Sequence, residues 1–200
     1  VRPPELARIC YTENHLTRLS NPIADGLRGS RISRMLLAGM VLCGFVPLIA
    51  AGQEQAEGTL IERLLRARAE SPALRDGAVV YNGLPSSNAQ VFAVLRQAGG
   101  EPALGLLNVG PHKQTVAISL PVDRLGLPDG EYELLELLEQ QLWAEGARCS
   151  WGRDELLALH LTLEPYSAYC LLVRAADRSA ARALDQADAQ PQATALGELA

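Results

Sequence analysis

The 200-residue sequence predicts an α/β segment followed by an all-β antiparallel sandwich. Three observations carry that prediction. Up to about residue 75 the chain orders itself as strand, long loop, helix, strand and helix. From about Ala78 the apolar period changes from helical to alternating. Glycine-, proline- and aspartate-rich turns then separate six or seven short apolar strands, the pattern of a sandwich.

The first strand is read in "RICYTE", residues 8 to 13, where β-branched and aromatic side chains dominate. A loop follows through "SNPIADGLRGS", whose Asn-Pro, Asp-Gly and Gly-Ser pairs are turn signals. Ser30 is expected to cap a helix that begins near Arg31 and carries Met35, Leu36, Met40 and Val41. The run from Met35 to Gly52 contains no charged residue. With Arg-Ile-Ser-Arg before it and Ala-Ala-Gly at its end, it has the layout of an export signal or a membrane span. Gly44 and Pro47 argue for a different reading. Glycine weakens a helix interior, and proline removes a donor and clashes with the preceding turn. The run therefore divides into a buried helix to about Cys43 and a short strand, "PLIAA", that Gly52 ends. Neither half crosses a bilayer, so no membrane partner is expected.

After Gly58, "TLIERLLRARAE" places Leu60, Ile61, Leu64, Leu65 and Arg68 on one helical face, and Ser71-Pro72 closes the helix. "QVFAVLRQ" and "PALGLLNVG" flank Gly99-Gly100-Glu101, a hairpin signal. "TVAISL" turns Val116, Ile118 and Leu120 to one side. Pro128-Asp129-Gly130 is a turn before the strand "EYELLELL". "LLALHLTLEP" sets Leu157, Leu159, Leu161 and Leu163 on one face, and "SAYCLLVR" completes the set. Residues 1–75 and 76–174 are accordingly read as two domains. Residues 175–200, rich in Ala, Asp and Gln, form a tail expected to be disordered.

Composition narrows the function. The net charge of −5 and the absence of a Lys/Arg stripe argue against a nucleic-acid surface. The four cysteines form no C-x-x-C pair, and their reading as buried free thiols points to a reducing, cytoplasmic compartment. The three histidines have no ligand spacing, so neither a protein-built metal site nor a cofactor is expected. Trp143 and Trp151 are read as packing on the sandwich edge, His112 as a turn residue and His160 as a solvated strand position.

The segment "YTENHLTRLS" carries the densest chemistry, with Asn14, His15 and Arg18 at the end of the first strand. Together with the segments after it, this resembles the C-terminal part of the α-amylase superfamily, glycoside hydrolase family thirteen. Members carry Asn-His-Asp-x-x-Arg after the seventh barrel strand, then an apolar helix, then a strand with Pro-x-Ile-x-x-Gly-x-Glu. Here the counterparts are Asn14-His15 with Arg18, and "GFVPLIAAGQE" from Gly44 to Glu54. "LIERLLRARAESPALRDG" resembles the eighth barrel helix and its exit, and the later strands resemble the family's C-terminal β-domain.

The resemblance implies that residues 1–75 are the last two β/α units of a (β/α)₈ barrel, whose buried strands read as continuous apolar runs. It implies retaining hydrolysis or transfer at α-glucosidic bonds, with an α-glucan or α-glucoside as partner and Asn14, His15 and Arg18 as substrate-binding residues. Two departures follow. Segments for the nucleophile and the acid, which belong to earlier barrel strands, have no match in these residues, so a missing N-terminal barrel part is a further expected partner. The motif Asp is also absent: Leu16 stands beside His15, and the spacing to Arg18 is one residue short. Leu16 accepts no hydrogen bond from a sugar, and losing one such group typically costs ~3 kcal/mol of barrier. The chain is therefore expected to hold no catalytic residue and to be inactive alone, as a fragment or degenerate member. The alternatives are a non-catalytic carbohydrate-binding or interaction module, or a membrane-anchored sandwich.

Overall fold

Alternation along one strand sets the architecture. In β5 (Glu101–Asn108) Leu104 and Leu106 face one buried cluster, while Ala103 and Leu107 face another. A strand that is apolar on both sides must lie in a sheet covered on both faces. The computed structural model, which describes residues 9–10, 26–49, 51–81, 83–98 and 100–176, contains such a sheet.

Its spine is a meander. β3 (Ala78–Val80) pairs with β4 (Val91–Ala98), and β4 with β5, all antiparallel, with Ala98 opposite Glu101 at the hairpin end. Gly100 holds φ +86° in that turn, a left-handed conformation that glycine adopts without a Cβ penalty. The order continues through β11 (Ser167–Ala175), β7 (Glu131–Glu136) and β8 (Gln141–Leu142), with β9 (Trp151–Gly152) on β7, giving a seven-stranded sheet. β6 (Gln114–Ile118) and β10 (Leu159–Leu163) form a separate antiparallel pair. Val116, Ile118, Leu159, Leu161 and Leu163 of this pair pack with Leu104, Leu106, Leu134 and Leu171 of the large sheet.

The opposite face is covered by helices. α1 (Gly26–Leu42) and α2 (Gln53–Glu70), followed by the short α3 (Pro72–Arg75), bury Leu37, Val41, Leu42, Leu60, Leu64 and Leu74 against Val94, Ala103, Leu107 and Cys170. Two glycines let α1 approach closely. A Cβ on Gly39 would lie 2.6 Å from Leu107 Cδ2, and one on Gly105 would lie 2.7 Å from Val94 Cγ1 and 3.1 Å from Leu42 Cβ. Arg96, 2% exposed, fastens the layers: its guanidinium donates to the carbonyls of Leu42 (3.2 Å) and Leu74 (2.9 Å). Arg68 adds a bond to the Phe45 carbonyl and Tyr81 one to the Cys43 carbonyl, so the C-terminal end of α1 has three side-chain donors.

β1 (Ile9–Cys10) and β2 (Val46–Pro47) pair in parallel, Ile9 opposite Val46 and Cys10 opposite Pro47, with α1 between them in the chain. The uncharged run thus ends in a helix and a strand, and no helix among the described residues is long and apolar enough to cross a membrane.

Several local expectations are corrected. Ser30 does not cap α1, which already runs from Gly26; packing of the apolar face outweighs the weak glycine breakers. The strand pairs at Val46–Pro47 rather than across "PLIAA", because its register is set by Ile9 and Cys10. α2 begins at Gln53 instead of after Gly58, with non-helical backbone at Glu57 (φ −122°, ψ 17°). Leu65 is 56% exposed and Ala67 takes its place inward, since the buried stripe runs through 60, 64 and 67. Leu157 is also outside, at 45%, because residues Arg153–Ala158 form a 3₁₀ turn that sends Leu156 into the core. Of the three described thiols only Cys170 is buried; Cys149 is exposed. Beyond Ala176 the tail lies outside the described residues.

Candidate functional site

Because β1 and β2 are parallel, the chain leaves both at the same end. In parallel β/α architectures that end is where sites assemble. After β2 the chain passes through Gly52, held at φ +86°, and enters α2 at Gln53. The left-handed turn is the physical reason for glycine in "AAGQE". After β1 it proceeds toward Asn14, His15 and Arg18, which lie outside the described residues, as does Leu16.

The N-terminal halves of α1 and α2 bring together a polar group that no motif announced. Glu57, 5% exposed, receives an ion pair from Arg34 (Nε to Oε2, 3.5 Å) and a hydrogen bond from the Ser30 side chain. Burial pushes the Glu57 carboxyl above the ordinary carboxylate range, while Arg34 and Ser30 oppose that shift. Gln53, four residues earlier in α2, is also buried, and Ser33 Oγ is buried without a hydrogen-bond partner among the described residues. The break in α2 at Glu57 coincides with this contact. Chemically, a single carboxyl clamped by an arginine positions two helices. It is not the facing pair of carboxylates that glycoside cleavage needs.

A second buried carboxyl lies at the end of β7. Glu136, 3% exposed, accepts from the backbone N–H of Cys170 (3.0 Å) and of Glu139 (2.6 Å). Burial raises its pKa, with those two bonds pulling the other way. The same burial pushes up the Cys170 thiol, which leaves it an inert core group. Nothing in the sequence pattern marked Arg34, Glu57, Arg96 or Glu136. A charged residue inside an otherwise apolar strand, as Arg96 is in "VFAVLRQ", is the one signal that points to a buried partner.

The residues read as structural behave so. Trp143 stacks edge-on against Tyr169, ring centroids 4.9 Å apart, and Trp151 is 3% exposed beneath the Arg148 guanidinium. His112 and His160 are exposed. Among the described residues no group of three or more His, Cys, Asp or Glu side chains could hold a metal ion.

No protein-family model matches the chain, and no curated protein matches it. Solved structures do. A noncanonical maltogenic α-amylase from Thermotoga neapolitana superposes with a TM-score of 0.63 at 14% identity, over 88% of this chain and 43% of that one. An Anoxybacillus α-amylase gives 0.62 at 16%, over 86% and 39%. The α-amylase of Geobacillus thermoleovorans, solved with acarbose, gives 0.56 at 18%, over 86% and 40%. The chain therefore spans about two fifths of the length of the structures it matches. The expected resemblance holds at the level of the fold: over its described length the chain has the fold of a part of the α-amylase structures, in a proportion consistent with their C-terminal part.

Proposed function

We propose that this chain is the C-terminal part of an α-amylase-family glycoside hydrolase, with residues 1–75 as the last two β/α units of a barrel and 76–174 as its C-terminal β-domain. The observation that carries the reading is the parallel pairing of Ile9–Cys10 with Val46–Pro47 across α1, followed at once by α2. Strand, helix, parallel strand and helix in that order are two successive β/α units. The parent activity is retaining cleavage or transfer at α-glucosidic bonds of an α-glucan, in which one carboxylate attacks the sugar and another protonates the leaving oxygen. Asn14, His15 and Arg18 contact the sugar, and the ion pair of Arg34 with Glu57 ties α1 to α2.

In this reading the chain by itself hydrolyses nothing, because Leu16 replaces the motif Asp and the nucleophile and acid come from elsewhere. A second reading, a non-catalytic carbohydrate-binding module, is favoured by that same leucine. One experiment separates them. The chain is assayed with an activated α-glucoside alone, then joined to six β/α units that supply the two carboxylates, with and without Asp inserted between His15 and Leu16. Alone it should be inert. In the joined protein the insertion should raise turnover by ~10²–10³, the usual worth of one electrostatic group. Hydrolysis by the isolated chain, or a joined protein indifferent to the insertion, would overturn the proposal; a joined protein inert in both forms would favour the second reading.

A further inference from the structure

α2 is continuous in the chain but broken in its backbone. Glu57 leaves helical geometry, so Gln53–Ala56 form a first turn set apart from the long run that begins at Gly58. That turn is entered at Gly52, which provides no side-chain cap. It closes through the Gln55 N–H on the Gly52 carbonyl at 3.3 Å, beyond the usual range of such bonds. Gly58 stands directly after the break. A Cβ there would meet no atom within 4 Å, so packing does not call for glycine at this position. Its effect is on the backbone, where it weakens the helix and makes a bend cheaper.

The contact that coincides with the break is lopsided. On α1, Ser30, Ser33 and Arg34 are i, i+3 and i+4 neighbours and lie next to one another on the helix surface. The Glu57 carboxyl takes two of them, a hydrogen bond from Ser30 and the ion pair with Arg34. The third, Ser33, has a fully buried hydroxyl with no hydrogen-bond partner among the described residues. Such a hydroxyl costs free energy, which is recovered wherever an acceptor reaches it. The two carboxyl oxygens of Glu57 have lone pairs for more donors than they hold. Ser30 and Ser33 are about 5–6 Å apart on such a surface, a step within the reach of a glutamate side chain. Helical φ and ψ at Glu57 would re-aim that side chain.

We propose that the first turn of α2 is a two-position switch, bent at Glu57 while the carboxyl holds Ser30 and straight when it holds Ser33. Arg34 stands beside both serines. Each position leaves one hydroxyl without its acceptor, Ser33 in the first and Ser30 in the second, so the two are close in free energy. The turn lies between β2 and the body of α2, and the switch therefore couples the exit of that strand to the packing of α1 on α2. The inference rests on the two helices alone and does not depend on the proposed activity. The full chain, labelled with nitrogen-15, is studied by NMR relaxation dispersion at residues 30–34 and 53–60. A minor state of ~0.1–10% should appear in both segments with one exchange rate, and not in β5 or β11. Gly58→Ala, which meets no neighbour, should enrich it about fivefold, the usual helix preference of alanine over glycine. Ser30→Ala should also enrich it and Ser33→Ala should deplete it, each by roughly fivefold, the effect of one hydrogen bond. Serines with only a structural role would change Tm and leave the population alone. No exchange in the wild type, Gly58→Ala or Ser30→Ala would overturn the switch. So would serine variants that shift the population in the same direction, or a population that Gly58→Ala lowers.

Discussion

The two faces of the central sheet are built from different materials. Toward the β6–β10 pair the cluster is aliphatic with a few aromatics, Leu104, Leu106, Ile118, Leu159, Leu161 and Leu163 are all fully buried, and the one buried polar side chain there among the described residues, Asn108, donates to the Leu163 carbonyl at the end of β10. Toward the helices the apolar cluster is interrupted by Ser33, Gln53, Glu57, Ser71, Arg96 and Glu136, all buried. An aliphatic interface stabilises by area and tolerates sliding. A buried charge stabilises little in net terms, because desolvation cancels much of the attraction, but it permits one arrangement only. The first face holds the fold together; the second fixes where the helices sit.

The largest test of that contrast is Leu161→Ala. Truncating a fully buried leucine should cost ~2–5 kcal/mol and lower the denaturant midpoint for every spectroscopic probe alike. Arg96→Met should cost less, ~1–3 kcal/mol, through the carbonyls of Leu42 and Leu74 left without their donor. Its effect should also be local. Native-state hydrogen exchange should show amides of α1 and α2 opening early while β5 and β11 stay protected. Uniform loss of protection in Arg96→Met would mean that the two faces form one cooperative unit.

Acidity separates them differently. Glu136 and Glu57 have folded pKa values raised, chiefly by burial, above the ordinary 4.5, so their contribution is fully present below 4.5 and lost as pH rises through the raised values. Glu155, beside β9, runs the other way. Its hydrogen bond from Arg148 and that from the Gly152 N–H hold it at about 2, so its contribution is present above 4.5 and lost as pH falls toward 2. Melting temperature should therefore rise as the helical face is acidified toward 4.5 and fall below it. Glu136→Gln should flatten the upper limb, and Glu155→Gln the lower one; an unchanged upper limb in the first variant would remove Glu136 from this account.

The smallest effects come from the glycines. Gly39→Ala meets only the end of Leu107, which can rotate away, and should cost well under 1 kcal/mol, partly offset by better helix propensity. Gly105→Ala meets Val94 and the Cβ of Leu42, which is tied to the α1 backbone, and should cost ~1–3 kcal/mol in thermal unfolding. Equal costs at both positions would show that α1 is free to retreat from the sheet.

Much of the architecture was legible in the sequence because it rests on period and on breakers. The inward row Val116, Ile118 and Leu120, the turn at Gly100 and the division of the uncharged run by Gly44 and Pro47 are local consequences of alternation and backbone freedom. Helix ends were less legible, since the start of α1 at Gly26 and of α2 at Gln53 depends on packing that no window of residues contains. Asn14, His15 and Arg18 came forward through spacing, and they lie outside the described residues.

By itself the sequence determined which residues are apolar, at what period, and where the backbone can turn. Those are properties of each residue and its near neighbours. The tertiary structure determined that Arg96 reaches two carbonyls more than twenty and fifty residues away, that Glu57 meets Arg34, and that Glu136 takes its bonds from β11 and the following turn. A buried charge is specified by its partner, and a partner distant in the chain becomes a neighbour only when helix and sheet have closed on each other.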